Sequence, residues 1–120
     1  MKLLYVEDDL LSMRLVEKFL RNSRFELIWA SDGQAGLETA IEELPTLILM
    51  DINLPHIDGL NLTRMLRDNP ATKDIPIIAL TSHNLPEDKE RCLAAGCNDY
   101  LAKPPSRSEL INVIEHQLSK

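Results

Sequence analysis

Four positions in this sequence place groups suited to a cation and a phosphoryl group directly behind short apolar runs. Glu7, Asp8 and Asp9 follow the run Leu3 to Val6, and Asp51 follows Leu47-Ile48-Leu49-Met50. Thr81 and Ser82 follow Ile77 to Leu80, and Lys103 follows Tyr100 to Ala102. Carboxylates gathered within a few ångströms repel one another, and partial burial raises that cost. A small hard divalent cation relieves it. Mg²⁺ prefers oxygen donors and keeps several waters, so one or two carboxylates and a backbone carbonyl suffice to hold it. A softer metal would call for His or Cys, and His83 is the one such residue close to these positions.

For these groups to meet, the apolar runs must be strands that point the same way. The runs Leu3 to Val6, Phe25 to Trp29, Leu47 to Met50, Ile77 to Leu80 and Tyr100 to Ala102 are each of strand length. Between them, apolar residues recur at helical spacing: Leu11, Leu15, Val16, Phe19 and Leu20; Leu37, Ala40, Ile41 and Leu44; Leu62, Met65 and Leu66; and Leu110, Val113, Ile114 and Leu118. A further helix is expected over Pro86 to Ala95, where "PED" suits a first turn and Gly96 the residue past the end. Ser106 and Glu109 have capping-box spacing ahead of the last helix. Five strands alternating with five helices predict a doubly wound parallel sheet covered on both faces, in one domain over residues 1–120. The Glu in Phe25-Glu26-Leu27-Ile28-Trp29 marks an edge strand. In such a sheet the residues after each strand collect along one edge, where ligands bind. The second strand's successor, Ala30-Ser31-Asp32-Gly33, reads as a turn, as does Asp58-Gly59.

Composition excludes several alternatives. The net charge is -6, from 13 basic and 19 acidic residues, with no basic cluster, so no direct nucleic-acid contact is expected. No run is long enough to span a membrane, and Glu7-Asp8-Asp9 interrupts the opening apolar run before it reaches signal-peptide length. Cys92 and Cys97 are spaced wrongly for a bridge on one helix and read as packing residues, which suits a reducing, cytoplasmic setting. No phosphate-loop or dinucleotide glycine motif is present, which argues against a nucleotide binder.

The segments "VEDD", "LILMDINLPHIDG", "ALTS" and "YLAKP" together resemble the receiver domain of two-component response regulators, in order and spacing over essentially the whole chain. "NLPEDKERCLAAGCNDYLAKP" is also similar to the receivers attached to hybrid histidine kinases. The resemblance implies a flavodoxin-like sheet of strand order 2-1-3-4-5. It implies that Asp51 is the phosphoacceptor, a choice between Asp51 and Asp8 that the residues alone leave open. By the same resemblance Mg²⁺ is held by Asp8, by Glu7 mainly through water, by Asp51 and by the backbone carbonyl of Asn53. Thr81 and Lys103 would hold phosphoryl oxygens, with Lys103-Pro104 a cis bond. Tyr100 matches the switch aromatic, and Asn53 and His83 the positions that tune the lifetime of the phosphorylated state. Pro105 departs from the branched or aromatic residue more usual there.

The implied function is a signalling module, not an enzyme beyond its own phosphoryl transfer and autodephosphorylation. Its partners would be a histidine kinase or histidine phosphotransfer protein, then a downstream protein or a second copy meeting the face of the fourth helix, fifth strand and last helix. A phosphatase using an aspartyl-phosphate would carry a second Asp as general acid at position 53, where this chain has Asn53. The sequence stops after its last predicted helix, giving the expectation that it encodes no output domain; a stand-alone receiver and a piece of a larger protein both fit.

Overall fold

The computed structural model describes residues 1–54, 56–82 and 85–120. Five strands, β1 (Lys2–Val6), β2 (Glu26–Ala30), β3 (Leu47–Asp51), β4 (Ile77–Thr81) and β5 (Asp99–Ala102), alternate with α1 (Leu10–Leu20), α2 (Gly33–Glu43), α3 (Gly59–Asp68), α4 (Pro86–Ala95) and α5 (Arg107–Leu118). All pairings are parallel and the sheet order is β2-β1-β3-β4-β5. β2 is therefore an edge, as its Glu26 indicated, while the unbroken apolar runs form β1, β3 and β4. β3 and β4 each run one residue beyond the apolar stretch, so Asp51 and Thr81 are the last residues of strands and share their rigidity.

Side chains alternate between two cores. Leu3, Tyr5, Leu49, Leu80 and Leu101 lie on one face of the sheet with Val16 and Leu20 of α1 and Leu110 and Ile114 of α5. Leu4, Val6, Met50, Ala79 and Tyr100 lie on the other with residues of α2, α3 and α4.

The helix ends follow their local chemistry. Asp9, Asp32 and Asp58 are N-caps whose carboxylates accept backbone N–H groups of α1, α2 and α3, so the last two are caps and not simply turn residues. Ser106 and Glu109 form the expected capping box, and Pro105 is buried just ahead of it. α4 starts with Pro86 at its first position, and Gly96 ends it at φ 118°. The apolar stripes are less faithful. Leu11 is 76% exposed, and Ile41, Leu44, Met65 and Leu93 also face solvent. α2 buries Gly33, Gly36 and Ala40; a Cβ on Gly36 would lie 2.9 Å from Val6 Cγ1, and only a glycine lets the helix come so close to the sheet.

Candidate functional site at the carboxyl edge of the sheet

Period-two alternation puts Glu7 on the same face as Tyr5, and Asp51 on the same face as Leu49. Both carboxylates thus emerge on the α1/α5 side, Glu7 fully buried and Asp51 3% exposed. Glu7, Asp8 and Asp51 each bring a carboxylate oxygen within 4.8 Å of the others, Asp8 being the exposed member. Lys103 lies against this group. Its Nζ pairs with Glu7 Oε1 and stands 3.5 Å from Asp51 Oδ1. The Lys103-Pro104 bond is cis, and the Lys103 N–H donates to the Thr81 carbonyl at 2.8 Å.

Buried charge needs partners, and each of these charges has them. Glu7 Oε1 also accepts the Tyr5 hydroxyl at 2.9 Å, and Oε2 accepts the Asp9 N–H at 3.3 Å. The Trp29 indole N–H donates to the Glu7 carbonyl at 2.6 Å. Asp51 Oδ1 accepts the Asn53 N–H at 3.1 Å, an Asx turn that fixes the carboxylate against its own loop. Burial, and then the adjoining Asp51 carboxylate, push the Glu7 carboxyl above its usual range, with Lys103 opposing. Burial and the same Glu7 carboxylate raise the Tyr5 phenol, which remains a donor. Asp9 is held below its usual range by the Ser12 hydroxyl it accepts, in keeping with a cap and not a ligand.

Thr81 leaves the sheet on the opposite side. It is 3% exposed and lines a cleft of about 340 Å³ with Asn53, Leu54, Asp88 and Arg91. Tyr100 is on this face too, packed against the core beneath α4. His83 lies outside the described residues. The site therefore unites Glu7, Asp8, Asp51 and Lys103, and sets Thr81 and Asn53 on the adjoining cleft. Tyr5 and Trp29 are the polar contacts that sequence reading assigned only to strands; a hydroxyl two residues before Glu7 on an otherwise aliphatic strand was the available signal.

The donors gathered here are all hard oxygens, and a buried carboxyl raised by its neighbour is the arrangement a small divalent cation relieves, so the residues fit Mg²⁺. A flavodoxin-like sheet with carboxylates and a lysine at its carboxyl edge is the arrangement that signalling receivers share. The model of the response regulator receiver domain matches residues 3–115, and the chain belongs to that family. It is 39% identical over 113 residues to the polar-differentiation response regulator DivK of Brucella anthropi, covering 94% of this chain and 92% of that protein.

Among solved structures, it is similar to a putative response regulator from Chloroflexus aurantiacus, with a TM-score of 0.94, 35% identity and coverage of 99% and 98% of the two chains. It is also similar to the receiver domain of the sensor histidine kinase PA1611 from Pseudomonas aeruginosa, with a TM-score of 0.91, 37% identity and the same coverage. That structure has a magnesium ion coordinated in its active-site cleft. Receiver domains are phosphorylated signalling modules of two-component systems that interact with histidine kinases or phosphotransfer proteins and with downstream partners. Among the described residues, no helix is long and apolar enough to cross a membrane.

Proposed function

We propose that this chain is a phosphorylation-controlled receiver that takes a phosphoryl group onto Asp51 from a histidine kinase or histidine phosphotransfer protein. The observation that carries this reading is a nearly buried Asp51 at the end of a central strand, with Lys103 Nζ 3.5 Å from Oδ1 and two further carboxylates within 4.8 Å. A carboxylate is a weak nucleophile, but phosphoryl transfer has a loose transition state that depends on position and charge neutralisation. The Asp51 oxygen forms its bond to phosphorus as the donor histidine's N–P bond breaks, and the electron pair leaves with the imidazole. Lys103 holds a phosphoryl oxygen during transfer, and Thr81 holds another afterwards.

Glu7, Asp8, Asp51 and the Asn53 carbonyl would hold Mg²⁺, which when bound supplies positive charge opposite Lys103. Autodephosphorylation is attack of water on the same phosphorus, returning the Asp51 carboxylate and inorganic phosphate. Asn53 and His83 tune its rate. The Thr81 hydroxyl, drawn toward the phosphoryl oxygens, vacates space for Tyr100, and the α4, β5 and α5 face changes its affinity for a downstream protein or a second copy. The unit acts as one receiver over residues 1–120, and its buried thiols Cys92 and Cys97 accord with a cytoplasmic place.

Incubation with a small phosphodonor followed by intact-mass measurement should show one added phosphoryl group. Asp51→Asn, or chelation of Mg²⁺, should abolish it. Equal labelling of the Asp51→Asn variant would overturn the assignment of the nucleophile.

A further inference from the structure

We propose that Tyr5 and Trp29 form a clamp on Glu7 that positions its carboxylate and thereby sets the affinity of the acidic cluster for a divalent cation. The proposal rests on the reading of Glu7, Asp8 and Asp51 as a cation site.

Tyr5 and Trp29 are direct cross-strand partners in the β1/β2 register. Parallel partners project to the same face, here the face on which Glu7 also emerges. From that shared position they reach one residue at two points. The Tyr5 hydroxyl donates to the Glu7 carboxylate at Oε1, 2.9 Å away, and the Trp29 indole N–H donates to the Glu7 main-chain carbonyl, 2.6 Å away. One bond fixes the side chain and the other fixes the backbone that carries it. β2 reaches Glu7 twice, through the Trp29 indole across 22 residues of sequence and through the Ala30 carbonyl, which accepts the Glu7 N–H at 3.0 Å.

The bonds also distribute the two Glu7 oxygens. Oε1 is taken by Tyr5 and Lys103, whereas Oε2 has the longer 3.3 Å contact from the Asp9 N–H. A freely rotating glutamate would lose this distinction. Held by the phenol, Glu7 keeps Oε1 toward the lysine and Oε2 toward the Asp9 N–H. Groups that orient a ligand without touching the metal typically change affinity by about 10–100-fold when removed. Tyr5 and Trp29 are thus positioning residues, not ligands.

Backbone amide shifts titrated with MgCl₂ test the clamp directly in the full chain. Tyr5→Phe removes only the hydroxyl, and Trp29→Phe keeps an aromatic ring while removing the N–H. Each should fold as the parent does by far-ultraviolet circular dichroism and bind Mg²⁺ about tenfold more weakly. Leu27→Ala thins the same core two residues from Trp29 without a bond to Glu7, and should keep the parental dissociation constant within about twofold despite lower stability. Parental affinity in both aromatic variants overturns the clamp while leaving the cation site intact, and so does equal weakening by Leu27→Ala, which would make the effect one of stability. A parent that shows no saturable Mg²⁺ shifts overturns the cation reading and the clamp with it.

Discussion

The two sides of the sheet's carboxyl edge are built to different standards. On the α1/α5 side, Glu7 and Asp51 are buried and each accepts more than one donor, from Tyr5, Lys103 and the backbone N–H groups of Asp9 and Asn53. On the α4 side, Thr81 borders an open cleft, and α4 itself buries only Cys92 and Ala95. Its N-cap is Leu85, which has no side-chain acceptor and is 57% exposed, and Leu93 is exposed midway along it. An element with few buried apolar contacts sits at the low end of local stability. On the proposed function, the difference separates chemistry from response in space: the well-bonded side would hold the reacting groups still, and the lightly anchored side would take a second position.

Light anchoring of α4 does not open the core beneath it. Burial pushes the Cys97 thiol up to about 11, and the neighbouring Cys92 thiol is raised by the same cause. At pH 8 about one Cys97 in a thousand is thiolate, so alkylation should run hundreds of times slower than for a free thiol and rise tenfold per pH unit. Because the folded state keeps this proton longer than the unfolded one, stability should decline as pH rises from 9.0, the thiol's ordinary value, toward about 11. Rapid alkylation of the native protein at pH 8 would show that the α4 side is open throughout.

The held side should be the more sensitive to charge. Lys103→Ala removes the cation beside Asp51 and Glu7, and should slow phosphorylation by a small donor about 100-fold, read as the rate of mass gain. A rate within about threefold of the parent would remove Lys103 from the transfer step.

A steric change sets α4 against α3, its neighbour on the same face of the sheet. Gly59 starts α3 where its N–H donates to Ile52 at 3.1 Å, and a Cβ there would sit 2.8 Å from Ile52 Cα, against backbone that cannot yield cheaply. Gly59→Ala should cost about 1–3 kcal/mol in denaturant unfolding. Leu93→Ala, on the exposed face of α4, should stay within about 0.5 kcal/mol of the parent. Comparable losses for the two would show α4 to be anchored as firmly as α3.

Much of this was legible in the residues because strands and caps are local. Apolar runs marked all five strands, Pro86 and Gly96 bounded α4, and Ser106 with Glu109 opened α5. Residues after the runs foretold which groups would share an edge. Helix faces were harder, since a solvent-facing Leu11 or Ile41 breaks no physical rule. Gly36 carries no hydropathy signal, yet it is what lets α2 approach Val6 of the sheet, and Gly33 similarly admits Ile57. The bonds from Tyr5 and Trp29 to Glu7 depended on which strand pairs with which, and in what register, and no window along the chain contains that.

The central claim is that a phosphoryl group on Asp51 is felt across the sheet through Thr81. Backbone amide shifts on binding a stable phosphate mimic with Mg²⁺ test it most directly, in the parent and in Thr81→Ala. The account predicts shifts running from Asp51 through Thr81 to Tyr100, α4 and the start of α5 in the parent, and shifts that stop at the site in Thr81→Ala. Parental shifts confined to the neighbours of Asp51 and Asp8, with Tyr100 and α4 unmoved, would contradict it and leave a phosphate-relay role in place of a switched surface.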